Sequence, residues 1–155
     1  MKKIYLAGPL GFSEVGREFM YSKIIPIIEK KGYEILDPWK LTDEDLIDKA
    51  KNLPYGQEKR DEWKKTNLII GKNNAEAIKE CDLVFAVLDG TDVDSGTASE
   101  IGYAAALGKK VIGYRGDFRL SADNEGSTVN LQVEYFIRVN GGEIVRKISE
   151  IDNLL

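Results

Sequence analysis

The order of apolar runs in this sequence predicts an α/β domain built on a doubly wound parallel sheet. Short runs that are apolar throughout, such as Ile4–Ala7 and Leu83–Leu88, alternate with stretches whose apolar residues recur at helical spacing. A strand apolar at every position has both faces buried, as in a parallel sheet covered by helices on each side. The length of 155 residues fits one domain, residues 1–155, large enough to hold a core without disulfide or metal. The expected architecture is a five-stranded, flavodoxin- or Rossmann-like sheet with helices on both faces.

Each element follows from its own residues. The first strand, Ile4–Ala7, stops at Gly8-Pro9. Between Val15 and Lys31, Phe19, Ile24, Ile27 and Ile28 keep near-helical spacing, and Gly32 caps the end. Pro26 within that stretch predicts a kink or two shorter helices. Tyr33–Leu36 is a second strand, ended by Asp37-Pro38. Residues 39–65 are polar, contain Pro54-Tyr55-Gly56 and break the alternation, which reads as an insertion of one or two exposed helices. Ala77–Cys81 finishes a helix, and Leu83–Leu88 is the clearest buried strand. Thr97–Leu107 is a small-residue helix closed by Gly108, and Lys110–Tyr114 is the next strand. Asn130–Val139 reads as a further helix, stopped by Asn140-Gly141-Gly142. The stretch Arg115–Thr128, rich in Gly, Asp, Asn and Ser, has the length of a lid or mobile loop.

Composition excludes several chemistries. Histidine is absent, which removes Ser-His-Asp and Cys-His catalysis, His-ligated zinc and a histidine base. The net charge is −4, and the densest basic stretch (Lys59, Arg60, Lys64, Lys65) is interrupted by Glu58, Asp61 and Glu62, so no nucleic-acid polymer is expected as partner. Cys81 is the only cysteine, so an intrachain disulfide is excluded. Met1-Lys2-Lys3 leads straight into the first strand without a signal-peptide core, and no apolar run approaches the ~20 residues of a bilayer span. The expectation is a cytoplasmic protein with no membrane partner. Gly8-Pro9-Leu10-Gly11 is not a dinucleotide turn and no P-loop occurs, so no cofactor is expected.

In an open parallel sheet, ligands bind beyond the carboxyl ends of the strands. Three loops leave such ends: 8–14, 37–40 and 89–96. The third is the richest: Asp89, Asp92, Asp94 and Glu100 place four carboxylates within twelve residues, around Gly90 and Gly96. Their spacing does not reproduce a calcium loop, and no metal site is expected. Glu100 allows two readings. With Thr97 it fits a capping box, in which each side chain satisfies the other's backbone donor. Alternatively, a carboxylate in the first helical turn is kept ionised by the helix dipole, and could attack the anomeric carbon of a sugar.

Three stretches carry a resemblance. Ile4-Tyr5-Leu6-Ala7-Gly8-Pro9-Leu10, the strand Asp82–Asp89, and Asp94-Ser-Gly-Thr-Ala-Ser-Glu100-Ile-Gly102-Tyr103-Ala104 together resemble the nucleoside 2-deoxyribosyltransferase family, with the likeness reaching Asn130-Leu131-Gln132. The resemblance implies that Glu100 is the nucleophile at C1′ and that Tyr5 orients it by a hydrogen bond. Asp94 would contact the sugar at its 5′ end. Relatives that cleave nucleoside monophosphates carry a small hydroxyl residue there, so an Asp favours an uncharged nucleoside. Asn130, with Gln132 nearby, would reach across a subunit interface, making the active species a homo-oligomer. Gly8 would border the substrate, and Phe12 and Trp39 would sandwich the base. For Tyr5, Asn130, Phe12 and Trp39 the plain alternatives are a core tyrosine, a helix N-cap and ordinary loop packing. The family commonly carries an Asp eight residues before the strand-opening acid, as partner or proton donor of the leaving base. Here that place is Asn74, which can hydrogen-bond a base but cannot protonate it, leaving Asp92 as the alternative acid.

The implied reaction is deoxyribosyl transfer between nucleobases through a glutamyl ester, by a ping-pong route with net retention. Its partners would be nucleosides and free bases, with no cofactor. A hydrolytic nucleoside or nucleotide N-glycosidase is the nearest alternative, and a non-catalytic nucleoside-binding module the next.

Overall fold

The computed structural model describes all of residues 1–155. Five strands, β1 (Lys2–Ala7), β2 (Tyr33–Leu36), β3 (Leu83–Val87), β4 (Lys110–Tyr114) and β5 (Glu143–Val145), form one sheet in the order β2-β1-β3-β4-β5. Every neighbouring pair is parallel, with Ile4 beside Ile35 and Leu83, and Phe85 beside Ile112. From β1 the chain moves outward to β2, then returns to β3 on the other side. The strand order therefore reverses between β1 and β3, which makes that crevice the favoured ligand position.

Alternate residues of each strand enter opposite cores. Tyr5, Val84, Ala86 and Val111 pack with Ile78, Ile101, Ala104 and Ile137 from α4 (Gln57–Glu80), α5 (Ser95–Ala106) and α6 (Leu131–Arg138). Ile4, Leu6, Phe85 and Ile112 pack on the other face against Met20, Ile24 and Ile28. The sheet is doubly wound, as expected.

The opposite-face helix is broken as Pro26 requires. It runs as α1 (Glu14–Phe19), a π-helical turn at Met20–Ile24, then α2 (Ile25–Lys30). Proline lacks the N–H that would bond four residues back and crowds that carbonyl, so the chain widens by one turn before resuming. Gly32, at φ +81°, turns it toward β2.

The segment 39–65 does hold helices, but not as a self-contained insertion. α3 (Glu44–Asn52) is a short helix of its own, whereas α4 continues without interruption for 24 residues to Glu80. The turn residues Pro54-Tyr55-Gly56 precede α4, and nothing after them breaks a helix. Its last turns cover the sheet through Ala77 and Ile78, and its first turns overhang the strand ends. Lys49 of α3 pairs with Glu62 of α4 at 2.7 Å.

The 115–128 loop is tied down at its start. Arg115 is fully buried, and its guanidinium donates to the carbonyls of Leu88, Gly90 and Arg119. Asp89 accepts the backbone N–H of Asp117 at 2.9 Å. The end of β3 and the start of this loop therefore move together. No helix is long and apolar enough to cross a membrane.

Candidate active site

A cavity of about 580 Å³ opens at the β1/β3 crevice. Its floor comes from Gly8, after β1, and from Asp94, Thr97 and Glu100 at the start of α5. Gly8 is there because space is short: a Cβ would lie 2.9 Å from the Cβ of Val87 at the end of β3.

Glu100 and Tyr5 meet on this floor. Tyr5 is a fully buried residue of β1, and its hydroxyl donates to Glu100 Oε1 at 2.7 Å. Glu100 Oε2 takes no hydrogen bond from the protein. The capping-box reading of Glu100 does not hold. Asp94 is the N-cap of α5, with Oδ2 accepting from Thr97 N at 2.9 Å and Thr97 Oγ1 at 3.0 Å. Glu100 is thus the sixth residue of the helix, beyond the turn where backbone N–H groups need a partner.

One wall is aromatic. The buried carboxylate of Asp37 accepts Trp39 N at 3.0 Å and the Tyr21 hydroxyl at 2.6 Å, which fixes the turn carrying Trp39. The indole lies against bare backbone, since a Cβ at Gly11 would come within 1.9 Å of it. Phe12 meets Trp39 edge-on, with ring centroids 4.8 Å apart and planes at 90°. A base held between two rings needs about 7 Å, two carbon contacts of about 3.5 Å each. Phe12 and Trp39 therefore do not sandwich a base; they form one corner of the cavity.

Of the facing wall the sequence predicts only Asn74. Trp63, Asn67, Ile70 and Asn74 line the cavity from α4. Their spacing of four, three and four residues puts them on one helical face. That stripe is visible in the sequence only if α4 is taken as continuous past residue 65. Thr42 and Ile47, from α3 and the turn before it, complete the rim. Asn74 Oδ1 is buried and has no hydrogen-bond partner.

Other expected site residues lie elsewhere. Asp92 is exposed, accepts the backbone N–H of Val93 at 2.8 Å and does not border the cavity. Asn130 caps α6, accepting Gln132 N at 3.0 Å and Val133 N at 3.3 Å, and neither Asn130 nor Gln132 lines this cavity.

The profile of the family described as "Nucleoside 2-deoxyribosyltransferase" matches residues 4–132. The chain belongs to that family. Among solved structures it is similar to a conserved protein from Enterococcus faecalis V583, with a TM-score of 0.70 at 25% identity, covering 99% of this chain and 96% of that one. It is also similar to a 2-deoxyribosyltransferase from Leishmania mexicana (TM-score 0.64, 26% identity, 96% and 93% covered). A third is the 2-deoxyribosyltransferase of the psychrotolerant bacterium Bacillus psychrosaccharolyticus (TM-score 0.63, 25% identity, 97% and 90% covered). No curated protein sequence matches the chain.

As a member of this family the protein is an enzyme of nucleoside 2-deoxyribosyltransferase type. The matched span contains every residue of the cavity wall. The electrostatics differ from the helix-dipole expectation. The Glu100 carboxyl is raised to about 7: burial pushes it up, the Tyr5 hydrogen bond offsets part of that, and the neighbouring Asp94 adds to it. Desolvation outweighs the dipole because Glu100 stands a full turn from the helix end. Tyr5 is held far above the ordinary phenol range, first by burial and then by the Glu100 charge, so it remains a hydrogen-bond donor throughout neutral pH.

Proposed function

We propose that the protein transfers 2-deoxyribosyl groups between nucleobases through a covalent Glu100–sugar ester, with net retention at C1′. The observation that carries this reading is the Tyr5–Glu100 pair on the cavity floor: one carboxylate oxygen is held at 2.7 Å while the other is free of protein partners. In the first half-reaction Oε2 bonds to C1′ as the C1′–N bond breaks, inverting the centre. A second base then attacks from the vacated face and releases the carboxylate, inverting it again. Tyr5 fixes the rotamer and stabilises the charge that returns to Glu100. Asp94, whose Oδ1 takes no hydrogen bond from the protein, is the receptor for a sugar hydroxyl.

An uncharged nucleoside fits better than a nucleotide. No Lys or Arg lines the cavity, and two carboxylates stand at its sugar end, an arrangement that repels phosphate. The 2-deoxyribosyltransferases among the structural neighbours support transfer as the reaction. In this reading the active species is a homo-oligomer in the cytoplasm serving nucleoside salvage. Asn130 and Gln132, outside their own cavity, complete a neighbour's. Leu131, Tyr135 and Val139, an exposed apolar stripe on and just beyond α6, suit that contact.

Incubation with deoxyinosine or thymidine, with and without free adenine, tests the reaction. Deoxyadenosine formed only when adenine is present, and lost in Glu100→Ala, is the expected result. Base released equally with and without acceptor makes the protein a hydrolase instead. Light scattering on an Asn130→Ala chain that keeps its oligomer but loses transfer supports the shared site.

A further inference from the structure

Asp94 and Glu100 are the only ionisable side chains among the cavity's lining residues. Both stand at the sugar end, and Asp94 Oδ2 is already an acceptor for Thr97. The rest of the lining offers Trp39, Trp63 and Ile70 as apolar surface and Asn67 and Asn74 as polar groups. Neither amide can give up a proton at neutral pH. Asp92, the nearest other acid in sequence, faces outside the cavity. Asn74 carries a second signal. Its Oδ1 is buried in the protein without a partner and is closed to the cavity. Nδ2 is therefore the amide atom that donates to a base carbonyl from the cavity wall.

We propose that the leaving base departs without side-chain protonation, as an anion held by hydrogen bonds to Asn74, so that the enzyme selects nucleosides whose base tolerates that charge. This rests on the transferase reading above. As Glu100 Oε2 bonds to C1′, the C1′–N bond breaks and its electron pair stays on the base nitrogen. The Asn74 Nδ2–H group faces the carbonyl on which that charge is delocalised. The base takes its proton from water after release, and an incoming base loses its N–H proton to water before attack. The favoured class is 2′-deoxynucleosides of oxo-pyrimidines, fastest where a C5 substituent withdraws electrons.

The test is single-turnover base release, with enzyme in excess and no acceptor, from 2′-deoxy-5-fluorouridine, 2′-deoxyuridine and thymidine. The 5-fluoro substrate should react about tenfold or more faster than deoxyuridine, because cleavage without an acid is sensitive to the leaving group. Thymidine should be slowest, and rates in H2O and D2O should agree. In Asn74→Asp the spread should shrink and the rate should fall on the alkaline side as the new acid ionises. A flat wild-type series with slower reaction in D2O overturns this proposal alone. Base release from none of the three but from deoxyinosine also overturns this proposal alone, whereas release from none of the four overturns the transferase reading with it. If Asn74→Asp fails to fold, the wild-type series and solvent comparison still decide.

Discussion

Replacing Glu100 with Gln should make the protein more stable, and only at neutral to alkaline pH. The Glu100 carboxyl rises from an ordinary 4.5 to about 7, chiefly through burial. Below about pH 4.5 the group is protonated whether the chain is folded or not, and burial costs it nothing. Between 4.5 and about 7 the folded state binds the extra proton, so stability falls as pH rises. Above about 7 the folded chain must carry the charge on a half-buried carboxylate. At about 1.4 kcal/mol per pH unit the accumulated cost is about 3 kcal/mol, and partial solvent access brings it nearer 2. A Gln keeps an oxygen for the Tyr5 hydroxyl and cannot ionise. Urea unfolding at pH 5 and pH 8.5, at one protein concentration, should show near-equal stability at the lower pH. At the higher pH Glu100→Gln should be ahead by about 2 kcal/mol, or about 6 °C in Tm for a chain of this size. A variant less stable than wild type at pH 8.5, or shifted equally at both, refutes the argument from desolvation.

Other outcomes follow from the same geometry. Wild-type kcat/KM should rise with pH and level off above about 7, as Glu100 ionises. Tyr5→Phe removes the only hydrogen bond holding that charge, so the rise should move to higher pH and activity at pH 7 should fall by about tenfold for each unit moved. Gly11→Ala drives a methyl into the Trp39 indole; KM for the nucleoside should rise more than kcat falls, with a stability loss of about 1–3 kcal/mol in urea unfolding. Arg115→Ala strips the carbonyls of Leu88 and Gly90 of charged donors and should cost about 2–4 kcal/mol by the same measurement.

How much of this could be read from sequence differs by element. β1, β3 and β4 announce themselves because a strand buried on both faces is apolar at every position, and β2 is framed by Gly32 and Asp37-Pro38. β5 does not: three residues with only Val145 buried carry no pattern. The continuity of α4 is hidden because its overhanging half is polar on most sides, and a stripe of Trp63, Asn67 and Ile70 is too narrow to stand out. The α5 cap is ambiguous in sequence because two patterns overlap. Asp94 and Thr97 have the spacing of a cap and its partner, as do Thr97 and Glu100, and the aspartate, accepting both Thr97 N and Oγ1, wins. Tyr5 and Glu100 lie 95 residues apart, and no local rule joins them. The family resemblance supplied that pair; register explains it, because Tyr5 sits beside Val84 under α5.

The cost that Glu100 imposes on the fold and the chemistry proposed for it have one physical origin. A carboxylate deprived of water is unstable alone, and its attraction for a positive centre grows as the surrounding dielectric falls. Breaking a C1′–N bond creates such a centre on the sugar, so the charge that burdens the fold is offset when the reaction needs it. Asp94 strengthens both halves of this: its negative charge raises Glu100 in the free enzyme and favours the cationic sugar during bond cleavage. Tyr5 sets the limit, because without its hydrogen bond more of the carboxyl would be protonated at neutral pH, and a neutral acid is a far weaker nucleophile than a carboxylate. The pair is therefore balanced near neutrality by burial and one hydroxyl, with no histidine in the chain and no Lys or Arg in the cavity wall. Tyr5→Phe should therefore lower stability and reactivity together above neutral pH, whereas Glu100→Gln raises the first and abolishes the second.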